Sequence, residues 1–212
     1  MADMGHYSLW AVFNALQLTS PTIIEPNGSH AVAMHGQVPD EINNTFSFPM
    51  ASCVRFKYPA NGSRQPVDLC WYDGGMRPPI PQELLDENKE LEPEGMMFVG
   101  DKGKILAGFN IQNPQIISGN KMQTPPAAPD KRSREERTQT NLSLFADACK
   151  SGKQYPGNFS EAEYITEAVN LYALALRAGR MLKYDSASVK ITNYPEVNAW
   201  MGRTYRKGWD LV

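Results

Sequence analysis

Ser52-Cys53-Val54-Arg55-Phe56-Lys57-Tyr58 and Val67-Asp68-Leu69-Cys70-Trp71-Tyr72 are the stretches that decide the fold. Each alternates small or apolar residues with polar ones, the period-two pattern of a strand with one wet face. Pro59 to Gln65 lies between them and contains Asn61-Gly62, a strong hairpin turn signal. The second strand therefore returns antiparallel to the first, and Asp73-Gly74-Gly75 stops it. A chain whose clearest strands are consecutive and antiparallel is not built from parallel strand–helix–strand units.

Upstream, residues 4–18 read as a helix, with Leu9, Val12, Phe13 and Leu16 on one face. Thr19-Ser20-Pro21 ends it, residues 22–25 read as a short strand, and residues 26–45 read as loop-rich. Downstream, Arg77 to Pro81 carries three prolines and reads as an extended loop, and residues 82–95 are acidic and read as exposed. Met96–Val99 and Lys104–Ala107 form a second hairpin around Asp101-Lys102-Gly103, and residues 115–118 give another short strand. Residues 119–140, with the charged run from Asp130 to Arg137, read as a solvated loop; a docking patch is the alternative. Helices follow at 140–150 and from a capping box at Ser160–Glu163 to Gly179. Residues 189–192 read as a strand, and Pro195 opens a last short helix to about Tyr205. The expected fold class is α+β, an open and largely antiparallel sheet with its helices on one face. If the other face is apolar, a second copy of the sheet must cover it, so a homo-oligomer through that face is expected.

Composition narrows the functions. The chain has 212 residues and a net charge of −2, without the basic excess that coats a phosphate backbone, so nucleic acid is not an expected partner. No apolar run reaches the roughly 18 residues a membrane span needs. Met1-Ala2-Asp3-Met4-Gly5-His6 has neither a basic nor an apolar signal region; cytoplasmic and periplasmic placements stay open. Cys53, Cys70 and Cys149 form no CxxC pair and are read as reduced thiols, and His6, His30 and His35 form no HExxH, so no metal site is expected. The G-x-G-x-x-G fingerprint, the P-loop and the G-x-S-x-G elbow are missing, so no cofactor is expected on this chain itself.

Several blocks together resemble one family. They are Asp3-Met4-Gly5-His6; Cys53 to Tyr58 with Val67 to Gly75 and Pro78-Pro79; Phe98-Val99-Gly100-Asp101-Lys102-Gly103; Asn158-Phe159 with the helix to Gly179; and Arg206-Lys207-Gly208-Trp209. In order and spacing they are similar to the C-terminal domain of the Gfo/Idh/MocA oxidoreductases, most of all its bacterial subgroup. The resemblance implies a single substrate-binding and oligomerisation domain over 1–212. It also implies that the chain is the back part of a longer protein. The Rossmann domain that precedes these blocks in the family, and that holds NAD or NADP, is absent from it.

The resemblance also implies the reaction class. The full-length protein would be an NAD(P)-dependent oxidoreductase acting on a sugar, a polyol or a glycoside, with the isolated chain inactive. The candidate catalytic residues are His6, as the base for a hydroxyl proton, and Asp3, which orients or charges the ring. An aspartate capping the helix and a surface histidine are the alternative for the pair. Trp71, Tyr72 and Asp73 at the strand end are candidate substrate-binding residues, a stacking wall with a hydroxyl acceptor; a core aromatic pair beside a turn is the alternative. Arg77 could reach an anionic group or lie solvated. A non-catalytic carbohydrate-binding or assembly module with a similar sheet is the competing function.

Overall fold

The protein's structure, a computed structural model, describes every residue except 43, 45, 63, 120, 127–131 and 210–212. In chain order its elements are α1 (Gly5–Leu16), β1 (Ile23–Gly28), β2 (Val32–His35), β3 (Val38–Glu41), β4 (Ser52–Tyr58), β5 (Val67–Asp73), α2 (Gln82–Asp86), β6 (Met96–Gly100), β7 (Gly103–Ala107), β8 (Gln115–Ser118), β9 (Lys121–Gln123), α3 (Arg134–Ser151), α4 (Phe159–Ala178), β10 (Leu182–Asp185) and β11 (Lys190–Ile191). A 3-10 helix, Pro195–Trp200, follows. The chain forms two compact units, Met1–Pro79 with the residues from Tyr164 on, and Ile80–Glu163.

In the first unit the two decisive strands pair as the sequence implies. β4 and β5 run antiparallel from Ser52↔Asp73 to Tyr58↔Val67. Around them a five-stranded sheet forms in the order β11-β10-β1-β4-β5, every pair antiparallel. Ile24, Val54, Phe56 and Leu182 are fully buried on one face, which α1 and α4 cover with Leu9, Phe13, Ile165 and Ala168. The Phe13 ring meets Tyr58 edge-on at 5.9 Å. Burial of this kind is worth about 1.5–3 kcal/mol per large side chain. The alternation that buries Val54 and Phe56 turns Arg55 and Lys57 to the other face. There Arg55 pairs with Glu25 at 2.5 Å and Asp68 at 3.7 Å, and Lys57 pairs with Asp68 at 3.6 Å. The open face therefore carries these ion pairs beside Ile23, Cys53, Cys70 and Tyr72.

The second unit holds a four-stranded antiparallel meander, β6-β7-β8-β9. The turn expected at Asp101-Lys102-Gly103 closes β6 onto β7, with Gly100 opposite Gly103. A Cβ on Gly103 would lie 2.4 Å from the Ile117 carbonyl oxygen, so only glycine lets β8 approach there. Ile117 and Leu84 form its core. Lys104 Nζ bridges both carboxylate oxygens of Glu83 at 2.6 and 2.8 Å, tying α2 to β7.

Several local expectations shift. The loop-rich stretch 26–45 holds the β2–β3 hairpin, hidden by the proline within Val38-Pro39-Asp40-Glu41. The 119–140 loop gives way to β9 and to the first turns of α3. Its capping box is Ser133 and Glu136, whose backbone and side-chain groups satisfy each other at 3.1 and 2.6 Å. Those first turns are polar, so apolar periodicity could not see them; Asp130 and Lys131 of the charged run lie outside the described residues. α4 is capped by Asn158, whose Oδ1 accepts the Glu161 N–H at 3.1 Å, and not by Ser160. α1 ends at Leu16, where Gln17 turns left-handed at φ 48°. β10 is a strand the sequence reading passes over.

Candidate functional site

Asp73 ends β5 opposite Ser52, the first residue of β4. Asp73 Oδ1 accepts the Ser52 N–H at 2.8 Å and the Ser52 hydroxyl at 2.7 Å. Its Oδ2 accepts Trp71 Nε1–H at 3.0 Å, the Tyr172 hydroxyl at 2.8 Å and the Met1 ammonium at 3.5 Å. Ser52 Oγ and Tyr172 OH are 2.9 Å apart, so the ring of contacts closes on itself. Phe48 stacks on Tyr172 with ring centroids 6.1 Å apart. Gly74, at φ 63°, makes this possible: a Cβ there would lie 2.0 Å from the Met50 carbonyl oxygen. Only glycine lets the strand end fold back against Met50 and Ala51 and bring Asp73 to Ser52.

The electrostatics follow from this geometry. Burial pushes the Asp73 carboxyl up, but the hydrogen bonds from Ser52, Tyr172 and Trp71 outweigh it and hold the group below its ordinary value. Burial, and then the bond to Asp73, push the Tyr172 phenol up to about 12. A carboxylate offers about four lone-pair positions. The Ser52 N–H and hydroxyl, Trp71 Nε1–H and the Tyr172 hydroxyl occupy them, so Asp73 has its acceptor capacity filled by the protein. Asp73 is thus an organiser that fixes Trp71 and Tyr172, and not the free hydroxyl acceptor the sequence suggests.

The remaining predicted residues fall elsewhere. His6, near the start of α1, has Nε2 3.1 Å from Thr166 Oγ1 on α4. Asp3 lies exposed in the turn before α1, and the cap position belongs to Met4 without a side-chain bond. Asp3 is therefore not the helix cap, and among the described residues no ion pair joins it to His6. The first six residues nonetheless span both features, with Met1 on Asp73 and His6 on Thr166. Tyr72 does not join Trp71 and Asp73: strand alternation turns it to the charged face beside Cys53 and Cys70, where burial and then the two thiols push its phenol up to about 12. Arg77 is exposed, in the proline loop beyond Gly75. Ser52, Tyr172 and Phe48 escaped the sequence reading; Tyr172 there is only one more apolar position of α4. Among the described residues no group of three or more His, Cys, Asp or Glu is placed to hold a metal ion, and no helix is long and apolar enough to cross a membrane.

A family model for the C-terminal alpha/beta domain of an oxidoreductase family, the Gfo/Idh/MocA type, matches residues 67–211. The chain belongs to the Gfo/Idh/MocA oxidoreductase family. Its fold is also similar to a crystal structure of aldose-aldose oxidoreductase from Caulobacter crescentus complexed with glycerol, at 14% identity and a TM-score of 0.50. That similarity covers 84% of this chain and 45% of the other, so the chain spans less than half the length of the protein it matches. No curated protein sequence matches it. Within this Gfo/Idh/MocA domain, Trp71, Asp73 and Tyr172 lie inside the matched stretch, while Asp3, His6 and Ser52 precede it.

Proposed function

We propose that this chain is the substrate-binding domain of an NAD(P)-dependent oxidoreductase acting on a sugar, a polyol or a glycoside. Family membership supports the reaction class, and the aldose substrate of the structurally similar enzyme supports the substrate class. The observation that carries the site is the placement of His6, half-buried, with one ring nitrogen engaged by Thr166 Oγ1. With Nε2–H donated to Thr166, Nδ1 holds the lone pair that accepts a hydroxyl proton as the C–H bond breaks. Asp3, three residues before His6, keeps its proposed role of orienting or charging the ring. Asp73 holds Trp71 and the buried Tyr172 rigid, and the half-exposed Trp71 and the exposed Phe48, which stacks on Tyr172, are the rings that offer apolar faces to a sugar-like ring.

Gly100-Asp101-Lys102-Gly103 closes a hairpin and opens no helix, so this glycine cluster is not a phosphate cradle. The reading assigns NAD or NADP to a separate Rossmann domain. Self-association of the domain belongs to the same reading.

The test is His6→Ala in the full-length oxidoreductase. The expected result is a kcat lower by about 10² to 10⁴ with a far smaller change in KM, because the proton moves in the transition state. The melting temperature should hold. An unchanged kcat would move the base elsewhere and favour a non-catalytic carbohydrate-binding or assembly module.

A further inference from the structure

Charge is spread unevenly along the chain. From Arg177 to Trp209 there are seven lysines and arginines against Asp185 and Glu196, a net +5 in a chain whose total is −2. Four of the arginines in this segment lie over aromatic rings. Such contacts occur about once in 70–80 residues, so four in one short segment is a concentration. All four arginines are exposed, and among the described residues none of them makes an ion pair. The carboxylate of Asp185 is spent locally, on the Ser188 hydroxyl at 2.6 Å and the Ala187 N–H at 3.1 Å. The positive charge therefore has no counterpart in its own neighbourhood.

Two of the ring contacts join separate elements. Arg177, in the last turn of α4, lies 4.4 Å over Trp200, and Arg180, just past the left-handed Gly179, lies 4.6 Å over Tyr194. Both rings belong to one short piece of chain, Tyr194 with the 3-10 helix Pro195–Trp200. That piece is fastened without the arginines. Val197 is 2% exposed, and Asn198 accepts the Ile191 N–H at 2.7 Å and donates to the Ile191 carbonyl at 2.9 Å. The result is a firm ledge on which two guanidinium groups are held in place with their charge open to solvent. By the 3-10 rise the two rings stand on Cα positions on the order of 10 Å apart. That spacing suits two anionic groups on an extended ligand better than a single oxyanion.

We propose that this ledge is a carbohydrate-binding surface of its own, and that it takes an acidic oligosaccharide through Arg177 and Arg180. The sugar class rests on the reading above; the negative charge is what the ledge adds to it. A guanidinium presents a planar fork of N–H donors that matches a carboxylate two bonds at a time. An arginine already held against a ring loses less freedom when it binds than one loose in water. The half-open Trp200, 37% exposed, supplies an apolar edge beside the charge for the C–H face of a sugar. A nucleic acid suits the chain less well, because everything outside this segment carries −7 and repels a long polyanion.

Isothermal titration calorimetry on the 212-residue chain tests this, with trigalacturonate, a neutral galactose trimer and inorganic phosphate as probes. Trigalacturonate is expected to bind about tenfold or more tighter than the neutral trimer, and to weaken as salt is added. Arg177→Gln combined with Arg180→Gln should weaken it about tenfold or more. Because that pair also removes the ring contacts, Arg177→Lys combined with Arg180→Lys supplies a second reading. It keeps the charge and a cation over each ring but loses the fork, and should weaken binding about threefold or more at an unchanged melting temperature. Equal binding of the two trimers, or an affinity that both double variants leave unchanged, overturns the proposal and leaves the reading tested by kcat untouched. Phosphate bound as tightly as trigalacturonate overturns the assignment to a sugar.

Discussion

Asp73→Asn, nearly isosteric, should cost the first unit almost as much as Asp73→Ala. Hydrogen bonds to a charged group are worth about 1.5–3 kcal/mol net, and a buried donor left without a partner costs about 1–3 kcal/mol. In the alanine variant Ser52 Oγ still reaches Tyr172 at 2.9 Å, and Trp71 can turn to water; the Ser52 N–H, in a residue only 2% exposed, cannot. One lost charged bond and one orphaned donor give about 3 kcal/mol. In the asparagine variant the amide –NH2 must face either Ser52 or the Trp71 and Tyr172 side, where donors already converge. We expect about 2 kcal/mol. Urea unfolding followed by tryptophan fluorescence measures both changes. The acid limb adds a check. Because the folded Asp73 carboxyl lies below its ordinary value, its contribution is complete above about pH 4 and fades as pH falls through the lower folded value. The gap between parent and Asn variant should therefore narrow on acidification below pH ~4. An Asn variant within about 0.5 kcal/mol of the parent at neutral pH, the range of ordinary surface changes, would refute the saturated-carboxylate account.

Two further outcomes follow from the same geometry. Gly74→Ala should cost at least about 2 kcal/mol in urea unfolding, because φ 63° is unfavourable for alanine and the new methyl would sit 2.0 Å from the Met50 carbonyl oxygen; a neutral result would mean that the Asp73–Ser52 juxtaposition does not depend on that turn. In an alkaline absorbance titration, Tyr72 and Tyr172 should ionise near 12, so Tyr72→Phe and Tyr172→Phe should each remove amplitude there and not near 10; since the raised folded values favour the neutral phenols, the stability they add is whole below pH ~10 and is lost as pH rises toward 12.

Much of the fold was legible because it is written locally. The alternation over 52–58 and 67–72, with Asn61-Gly62 between, specified the β4–β5 pair, and Asp101-Lys102-Gly103 specified the β6–β7 turn. The hairpin at 32–41 was not legible, because Pro39 argues against a strand unless it faces an outer edge, and edge position is a property of the folded sheet. The start of α3 was hidden because its apolar residues come late; a Ser133–Glu136 box announces it only to a reader already looking for a helix. The site was half legible. Trp71 and Asp73 share a face by strand period, and the same rule, applied strictly, sends Tyr72 to the other face. Ser52 and Tyr172 stand 21 and 99 residues from Asp73, and nothing local marks a contact made only by the packing of α4 on the sheet.

The open face of the five-stranded sheet mixes ion pairs with Ile23, Cys53, Cys70 and Tyr72. An antiparallel sheet needs cover on both sides only when both are apolar. Here Glu25, Arg55, Lys57 and Asp68 neutralise one another across neighbouring strands, so exposing that face costs little. A second copy on this face would keep those ion pairs and cover Ile23, Cys53, Cys70 and Tyr72 beside them. The sheet's opposite face serves as a platform that fixes Asp73 against Ser52 and Tyr172.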